Sequence, residues 1–118
     1  MSEDRWKKLE VWKLADALAF DIYTITSNFP KEEMFGLSSQ LRRAALSIPT
    51  NIVEGYSRRG NKELIHFISI SLGSLAETKY LLSFSHRLNY ISSEEYEAIK
   101  AGHDLLGKKL WRFYEKLK

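Results

Sequence analysis

Histidine and carboxylate side chains are the groups in this sequence that could bind a metal or transfer protons, because the 118 residues include no cysteine. The lack of cysteine excludes disulfides and thiolate catalysis. Glu63 and His66 form the Glu-x-x-His step that di-iron helical bundles use. Such a site needs that step twice and a glutamate from two further helices, whereas neither His86 nor His103 follows a glutamate by three residues. We therefore expect no di-iron site, and we interpret His103 as a hydrogen-bonded core histidine.

Motifs for phosphate binding and hydrolysis are missing too. The sequence contains no Gly-x-x-x-x-Gly-Lys-Ser/Thr, Gly-x-Gly-x-x-Gly, His-Glu-x-x-His or Gly-x-Ser-x-Gly pattern. A catalytic group assembled from distant helices stays open, but no spacing favours one. We expect a protein that is not an enzyme and that needs no metal and no cofactor.

Length and composition predict one soluble domain over residues 1–118. Hydrophobic residues make up 44% of the chain and charged residues 28%, which are ordinary values for a globular protein. No apolar run has the 18 or more residues of a membrane span, and residues 1–8 lack an apolar signal core. We expect a cytoplasmic protein without a membrane partner. The net charge of +3 is only mildly basic.

Apolar residues recur at three- and four-residue spacing, which is typical of amphipathic helices. The predicted fold is an all-α, antiparallel up-down-up-down four-helix bundle with short connections. Pro49 falls inside the second apolar stripe, so a kinked helix or two abutting helices would fit, and we favour the kink. Asn61 is a candidate N-cap, and Ser92 with Glu95 forms a capping-box pattern. The four helices are predicted at about residues 8–27, 31–59, 61–89 and 92–117.

The third helix carries apolar residues on two sides. One side is a seam with a 4-3 spacing, and roughly opposite it lie Ile70, Leu81, Phe84 and Leu88. A helix that is apolar on two faces needs two partners. These four residues predict an oligomer interface, although deeper burial within one subunit would also explain them.

In an up-down bundle, the start of helix 1, the junction of helices 2 and 3 and the end of helix 4 share one end. This end holds eleven basic and six acidic residues, so its net charge is +5. The acidic residues are Glu3, Asp4, Glu10, Glu54, Glu63 and Glu115. Such a surface attracts phosphate backbones, although basic residues in a last helical turn also complement the helix dipole. The aromatic residues near it, which could stack on bases or belong to the core, are Trp6, Tyr56, Trp111 and Tyr114. The basic residues there are Arg5, Lys7, Lys8, Arg58, Arg59, Lys62, Lys108, Lys109, Arg112, Lys116 and Lys118.

The central stretch carries a long and specific pattern, and it resembles the four-helix-bundle family of 23S rRNA intervening-sequence proteins. Flanking signatures of the same family are similar to Leu9-Glu10-Val11-Trp12 and Gly73-Ser74-Leu75-Ala76-Glu77. The central residues are Phe29-Pro30-Lys31-Glu32-Glu33, Gly36-Leu37, Gln40-Leu41-Arg42-Arg43-Ala44-Ala45 and Ser47-Ile48-Pro49-Thr50-Asn51-Ile52-Val53-Glu54-Gly55.

The resemblance implies a four-helix bundle that assembles into a ring-shaped homopentamer. The family is named after reading frames inside intervening sequences of bacterial large-subunit rRNA genes, and no catalytic residue follows from that location. The family is also similar to the accessory variability determinant of diversity-generating retroelements, a basic pentameric bundle that works with a reverse transcriptase and nucleic acid. That likeness is architectural only.

The central stretch also has a physical interpretation. The side chain of Asn51 could bond backbone groups freed by Pro49, Glu54 could pair with Arg58, and Gly55 lets another backbone approach. Arg42 and Arg43 could form salt bridges between subunits or line a central channel. We favour that structural role over contact with RNA.

Three functional hypotheses follow. The leading one is a non-enzymatic homo-oligomer, a pentamer by the resemblance, that binds structured RNA or rRNA through the basic end. The alternative is a protein-interaction adaptor whose charged end docks an acidic partner such as a reverse transcriptase or a nuclease. The third is an unrecognised enzyme or metal protein.

Overall fold

The computed structural model describes residues 4–118 and places four α-helices there, with no β-strand in that range. The helices are α1 (Glu10–Thr26), α2 (Leu37–Ser57), α3 (Asn61–Arg87) and α4 (Ser93–Leu117). Two short 3₁₀ turns precede α1 and α2, at Arg5–Lys8 and Lys31–Glu33. The prediction of an all-α protein with four helices is confirmed.

The start of α2 differs from the prediction, which placed it at about residue 31. The backbone of Gly36 (φ −116°, ψ −113°) is not helical, so the turn at Lys31–Glu33 cannot continue into α2. The carboxylate of Glu33 takes over the capping role, because its Oε1 accepts a hydrogen bond from the Leu37 amide at 3.1 Å. Pro49 lies inside α2, which is helical on both sides of it.

The starts of α3 and α4 use different capping chemistry. Gly60, with φ of +91°, occupies the N-cap position of α3, and Asn61, the predicted N-cap, is the first helical residue. Only glycine adopts such a backbone without strain. The predicted capping box of α4 is confirmed, because Ser92 Oγ accepts from the Glu95 amide at 3.1 Å and Glu95 Oε1 accepts from the Ser92 amide at 3.4 Å.

Each helix packs against two others: α1 and α3 both contact α2 and α4. The core between them has two parts, one around Ile22, Leu41 and Leu82 and one around Ile48 and Leu106. The predicted seam of α3 faces this core, and all of its residues except Leu64 are buried. The seam consists of Leu64, Ile68, Ser71, Leu75, Thr78, Leu82 and Ser85. Within residues 4–118, none of the helices is both long and apolar enough to span a membrane.

Candidate nucleic-acid interface

Three contacts bring distant segments of the chain together at one place. The Arg5 guanidinium carbon lies 5.9 Å from the centre of the Tyr56 ring, which joins the start of the chain to the end of α2. Asn61 Nδ2 donates to the carbonyl oxygen of Leu117 at 2.7 Å, which joins the start of α3 to the end of α4. Lys109 Nζ donates to Glu10 Oε1 at 3.4 Å, which joins α4 to α1. These segments hold the eleven predicted basic residues, and we call their shared surface the basic end. Glu3 lies outside the described residues.

Four of these cations have acidic partners. The closest approaches are 3.6 Å for Lys7 to Asp4, 3.9 Å for Arg58 to Glu54, 3.4 Å for Lys109 to Glu10 and 3.7 Å for Lys118 to Glu115. The predicted pairing of Glu54 with Arg58 is confirmed. All four pairs are solvent-exposed, so water and salt screen them strongly and they neutralise the surface only locally.

Six other cations of the basic end are exposed and form no ion pair with any residue of 4–118: Arg5, Arg59, Lys62, Lys108, Arg112 and Lys116. Lys108, Arg112 and Lys116 are spaced by four, so they lie along one face of α4. A row of this kind presents positive charge that the protein itself does not compensate.

The four aromatic residues predicted near this end divide into two groups. Trp6 packs edge-on against Trp12, with 4.9 Å between ring centres, and Tyr56 stacks on Phe113 at 6.3 Å. Burial raises the pKa of Tyr56, as expected for a phenol that is part of the packing. Trp111 is 52% exposed, with its ring tilted against that of Tyr114 at 5.4 Å. Trp111 is therefore the aromatic side chain of the four that is most available for stacking on a base.

A small cavity opens at the junction of α2 and α3. Its volume is about 260 Å³, and its wall includes Arg5, Tyr56, Arg58, Gly60 and Asn61. Sequence reasoning missed this cavity, since its residues come from three segments whose proximity depends on the packing of the helices. The positive charge of Arg5 and Arg58 was the only signal in the sequence.

The residues considered for catalysis or metal binding do not converge. Within residues 4–118, no group of three or more His, Asp or Glu side chains is arranged to hold a metal ion, and Glu63 and His66 are both exposed. His103 is fully buried, with Nδ1 placed 2.9 Å from the Ile99 carbonyl oxygen, as expected for a hydrogen-bonded core histidine. Its Nε2 has no hydrogen-bond partner among residues 4–118, and burial lowers the pKa of the His103 ring.

The residues predicted for an oligomer interface are not all on the surface. Ile70, Phe84 and Leu88 are exposed apolar side chains of α3. Leu81 is only 6% exposed and packs in the core of its own chain, because it lies beside the buried seam. This corrects its placement on the outer face of α3.

Arg42 and Arg43 have different surroundings. Arg42 Nε donates to Thr26 Oγ1 at 2.7 Å, and Arg42 Nη2 donates to the carbonyl oxygen of Tyr23 at 3.2 Å. Arg42 therefore fastens α2 to the last turn of α1 within one chain. Arg43 is exposed and forms no ion pair with the residues described.

Small and polar residues near Pro49 join α2 to α3. Asn51 Nδ2 donates to the Ser47 carbonyl at 2.8 Å, although the carbonyl that Pro49 deprives of its helical donor is that of Ala45. Ser71 of α3 donates its hydroxyl to the Ile48 carbonyl at 2.8 Å across the interface. The predicted close approach at Gly55 is confirmed, because a Cβ built there would lie 3.5 Å from the backbone carbonyl oxygen of Leu64 in α3.

The fold and its surface define a small all-α protein of four helices with one basic end. Residues 7–112 match the family model of the 23S rRNA-intervening sequence protein, and the chain belongs to this family. A solved structure, of a protein with unknown function from the S23 ribosomal protein family of Bacteroides thetaiotaomicron, is similar at 27% identity and a TM-score of 0.82. That similarity covers 89% of this chain and 95% of the other. No curated protein matches the chain.

Proposed function

We propose that this protein is a non-enzymatic homo-oligomer, a ring-shaped pentamer, that binds structured RNA or rRNA through its basic end in the cytoplasm. The observation that carries the proposal is the set of six exposed cations of the basic end that form no ion pair with the described residues. Phosphate groups of RNA are the common cellular ligands that match several such charges on one surface.

The proposal includes an up-down-up-down order of the helices with a bend of α2 at Pro49. The contacts of Arg5 with Tyr56 and of Asn61 with Leu117 support the alternating order at the basic end. At the other end, the Tyr90 hydroxyl donates to Glu33 Oε2 at 2.9 Å, so the α1–α2 and α3–α4 connections are neighbours. Alternating helices would gather all the basic segments on one side of each subunit.

Exposed apolar residues of α3 support the oligomer. Ile70, Phe84 and Leu88 lie on one outer stripe of this helix, and Tyr80 is exposed near them. An apolar stripe on a soluble protein marks a surface that another protein covers. The ring of five subunits rests on the family resemblance, and such a ring with parallel subunits would multiply the basic end.

The proposal is tested by fluorescence anisotropy with a labelled structured RNA over a salt series. A surface that contacts about six phosphates loses roughly three orders of magnitude in affinity between 50 and 200 mM salt. The variant Lys108→Glu/Arg112→Glu should lose most of this binding. The matched control Lys31→Glu/Lys100→Glu makes the same change of charge on exposed residues at the other end and should bind as the wild type does.

Light scattering and circular dichroism on each variant should show unchanged mass and helix content. If the wild type does not bind RNA at low salt, the RNA proposal is wrong. The exposed cations would then favour the adaptor function, in which the basic end docks an acidic protein such as a reverse transcriptase or a nuclease. Equal loss of binding in both variants would show that net charge, and not the basic end, controls the interaction.

A further inference from the structure

The cavity at the α2–α3 junction has two arginine residues in its wall, Arg5 and Arg58. Both are held over aromatic rings: Arg5 lies 5.9 Å from the centre of Tyr56, and Arg58 lies 5.0 Å from the centre of Phe67. A cation over the face of a ring keeps its position without using its N–H donors. The rings therefore hold the two guanidinium groups in place and leave their donors free.

Few protein groups occupy those donors. The guanidinium group of Arg5 forms no hydrogen bond or ion pair with any residue of 4–118. The guanidinium group of Arg58 has only the exposed, 3.9 Å contact with Glu54. The hydroxyl of Tyr56, in the same wall, also has no hydrogen-bond partner among the described residues. Two arginines and one hydroxyl beside a single cavity thus have donors for a ligand of opposite charge.

Gly60 lies in the wall of the cavity and is exposed to solvent. A Cβ atom built at Gly60 would meet no atom within 4 Å. The cavity volume of about 260 Å³ is sufficient for a phosphate group with part of its ribose. The terminal phosphate of an RNA strand can enter such a cavity. An internal phosphate cannot enter as easily, because the nucleic-acid backbone continues on both sides of it.

A terminal phosphate and an internal phosphate of RNA also differ in charge. A terminal phosphate monoester carries about −1.5 to −2 charges at pH 7, whereas a backbone diester carries one. Two guanidinium groups balance the monoester, and the planar fork of arginine donates two parallel hydrogen bonds to its oxygens. We propose that this cavity binds the terminal phosphate monoester of an RNA strand, an inference that rests on the proposed RNA-binding function.

The test compares three forms of one labelled RNA, with a 5′-phosphate, with a 3′-phosphate and with hydroxyl groups at both ends. We expect one phosphorylated form to bind about tenfold or more tightly than the hydroxyl form, since hydrogen bonds to a charged group are stronger than those between neutral groups. The variant Arg5→Gln/Arg58→Gln should abolish this difference. The control Arg59→Gln/Lys62→Gln removes the same charge from the same end, outside the wall of the cavity, and should weaken binding of all three RNAs equally.

The outcomes separate this inference from the proposed function. If all three RNAs bind tightly and equally, the terminal-phosphate site is refuted while RNA binding by the basic end stands. If no RNA binds, the proposed function fails and the inference fails with it. Titration with inorganic phosphate, followed by NMR, is the last arm. Wild-type protein that binds inorganic phosphate at these residues but does not distinguish the RNA ends would refute the inference.

Discussion

His103 shows how one buried side chain couples the protein to pH. Burial lowers its pKa, while the hydrogen bond to Ile99 and the charge of Asp21 oppose that shift. Lys79 lowers the pKa further and Asp104 raises it, and these two are paired with each other at 2.6 Å. The net direction is downwards because water is excluded from the charged form of the ring.

We therefore predict that acid destabilises the protein through His103. Its folded-state pKa lies below the value of about 6.5 of the unfolded chain, so the unfolded chain binds more protons between these two values. The stabilising contribution of His103 to the free energy of unfolding is complete above about pH 6.5. Below that pH it decreases, by up to about 1.4 kcal/mol per pH unit. Urea unfolding at several pH values measures it, and His103→Leu should reduce the slope between pH 6.5 and 5.

The control is His66→Gln, which removes an exposed histidine and leaves the core intact. An identical slope in His103→Leu and in the wild type would show that other groups cause the pH dependence.

At the scale of single residues the sequence was informative for His103, whose core position follows from its spacing with Leu106 and Leu110 in α4. Its unpaired Nε2 was not predictable, since it depends on neighbours from other helices.

The contact between α2 and α3 depends on a glycine. A Cβ at Gly55 would lie 2.9 Å from Leu64 Cδ1 and 3.1 Å from Phe67 Cβ. The Leu64 methyl group can rotate away, but Phe67 Cβ is attached to the backbone of α3 and can move only with it. The spacing of the two helices is thus set by the missing side chain.

We predict opposite effects for two glycine-to-alanine substitutions. Gly55→Ala should destabilise the protein by about 1–3 kcal/mol, because overpacking outweighs the roughly 1 kcal/mol gained from helix propensity. Gly73→Ala, on α3, meets nothing within 4 Å and should stabilise by up to about 1 kcal/mol. Urea unfolding of both variants measures the difference, and a stabilised Gly55→Ala would refute the close packing argued here.

Helices with a local signal were the most predictable elements. The start of α4 follows from Ser92 and Glu95, and the end of α1 follows from Pro30, because each signal acts on the nearest turn. The start of α2 was predicted six residues too early, since helix-compatible residues at 31–35 gave no warning that Gly36 would leave the helical conformation. The cavity depended on how three segments meet, which no local pattern records.

At the scale of the whole molecule, the exposed apolar stripe of α3 predicts self-association. Light scattering should give about five times the 13.7 kDa of one chain. The variant Ile70→Lys/Leu88→Lys should shift this mass towards that of one chain while circular dichroism shows retained helix, since both side chains are exposed in a single subunit. Placing charges in an apolar interface is costly because they lose their hydration.

Phe35→Lys is the matched control, because Phe35 is exposed and lies outside that stripe. It should keep the mass of the wild type. A wild-type protein with the mass of one chain would refute self-association, and a control that also dissociates would move the interface to the α1–α2 connection. Ile70, Phe84 and Leu88 are exposed in a single subunit, whereas the burial of Leu81 depends on neighbours that its position in the sequence does not identify.

Phe35 is 93% exposed on the connection between α1 and α2, and the chain contains no cysteine. A single thiol introduced there by Phe35→Cys would be the only reactive sulfhydryl of the protein. It would provide one defined attachment point for a fluorophore, a spin label or a solid support, at a position whose side chain takes no part in the core. Attachment through position 35 would immobilise the protein in one orientation. The lysines of the basic end would take no part in the thiol coupling.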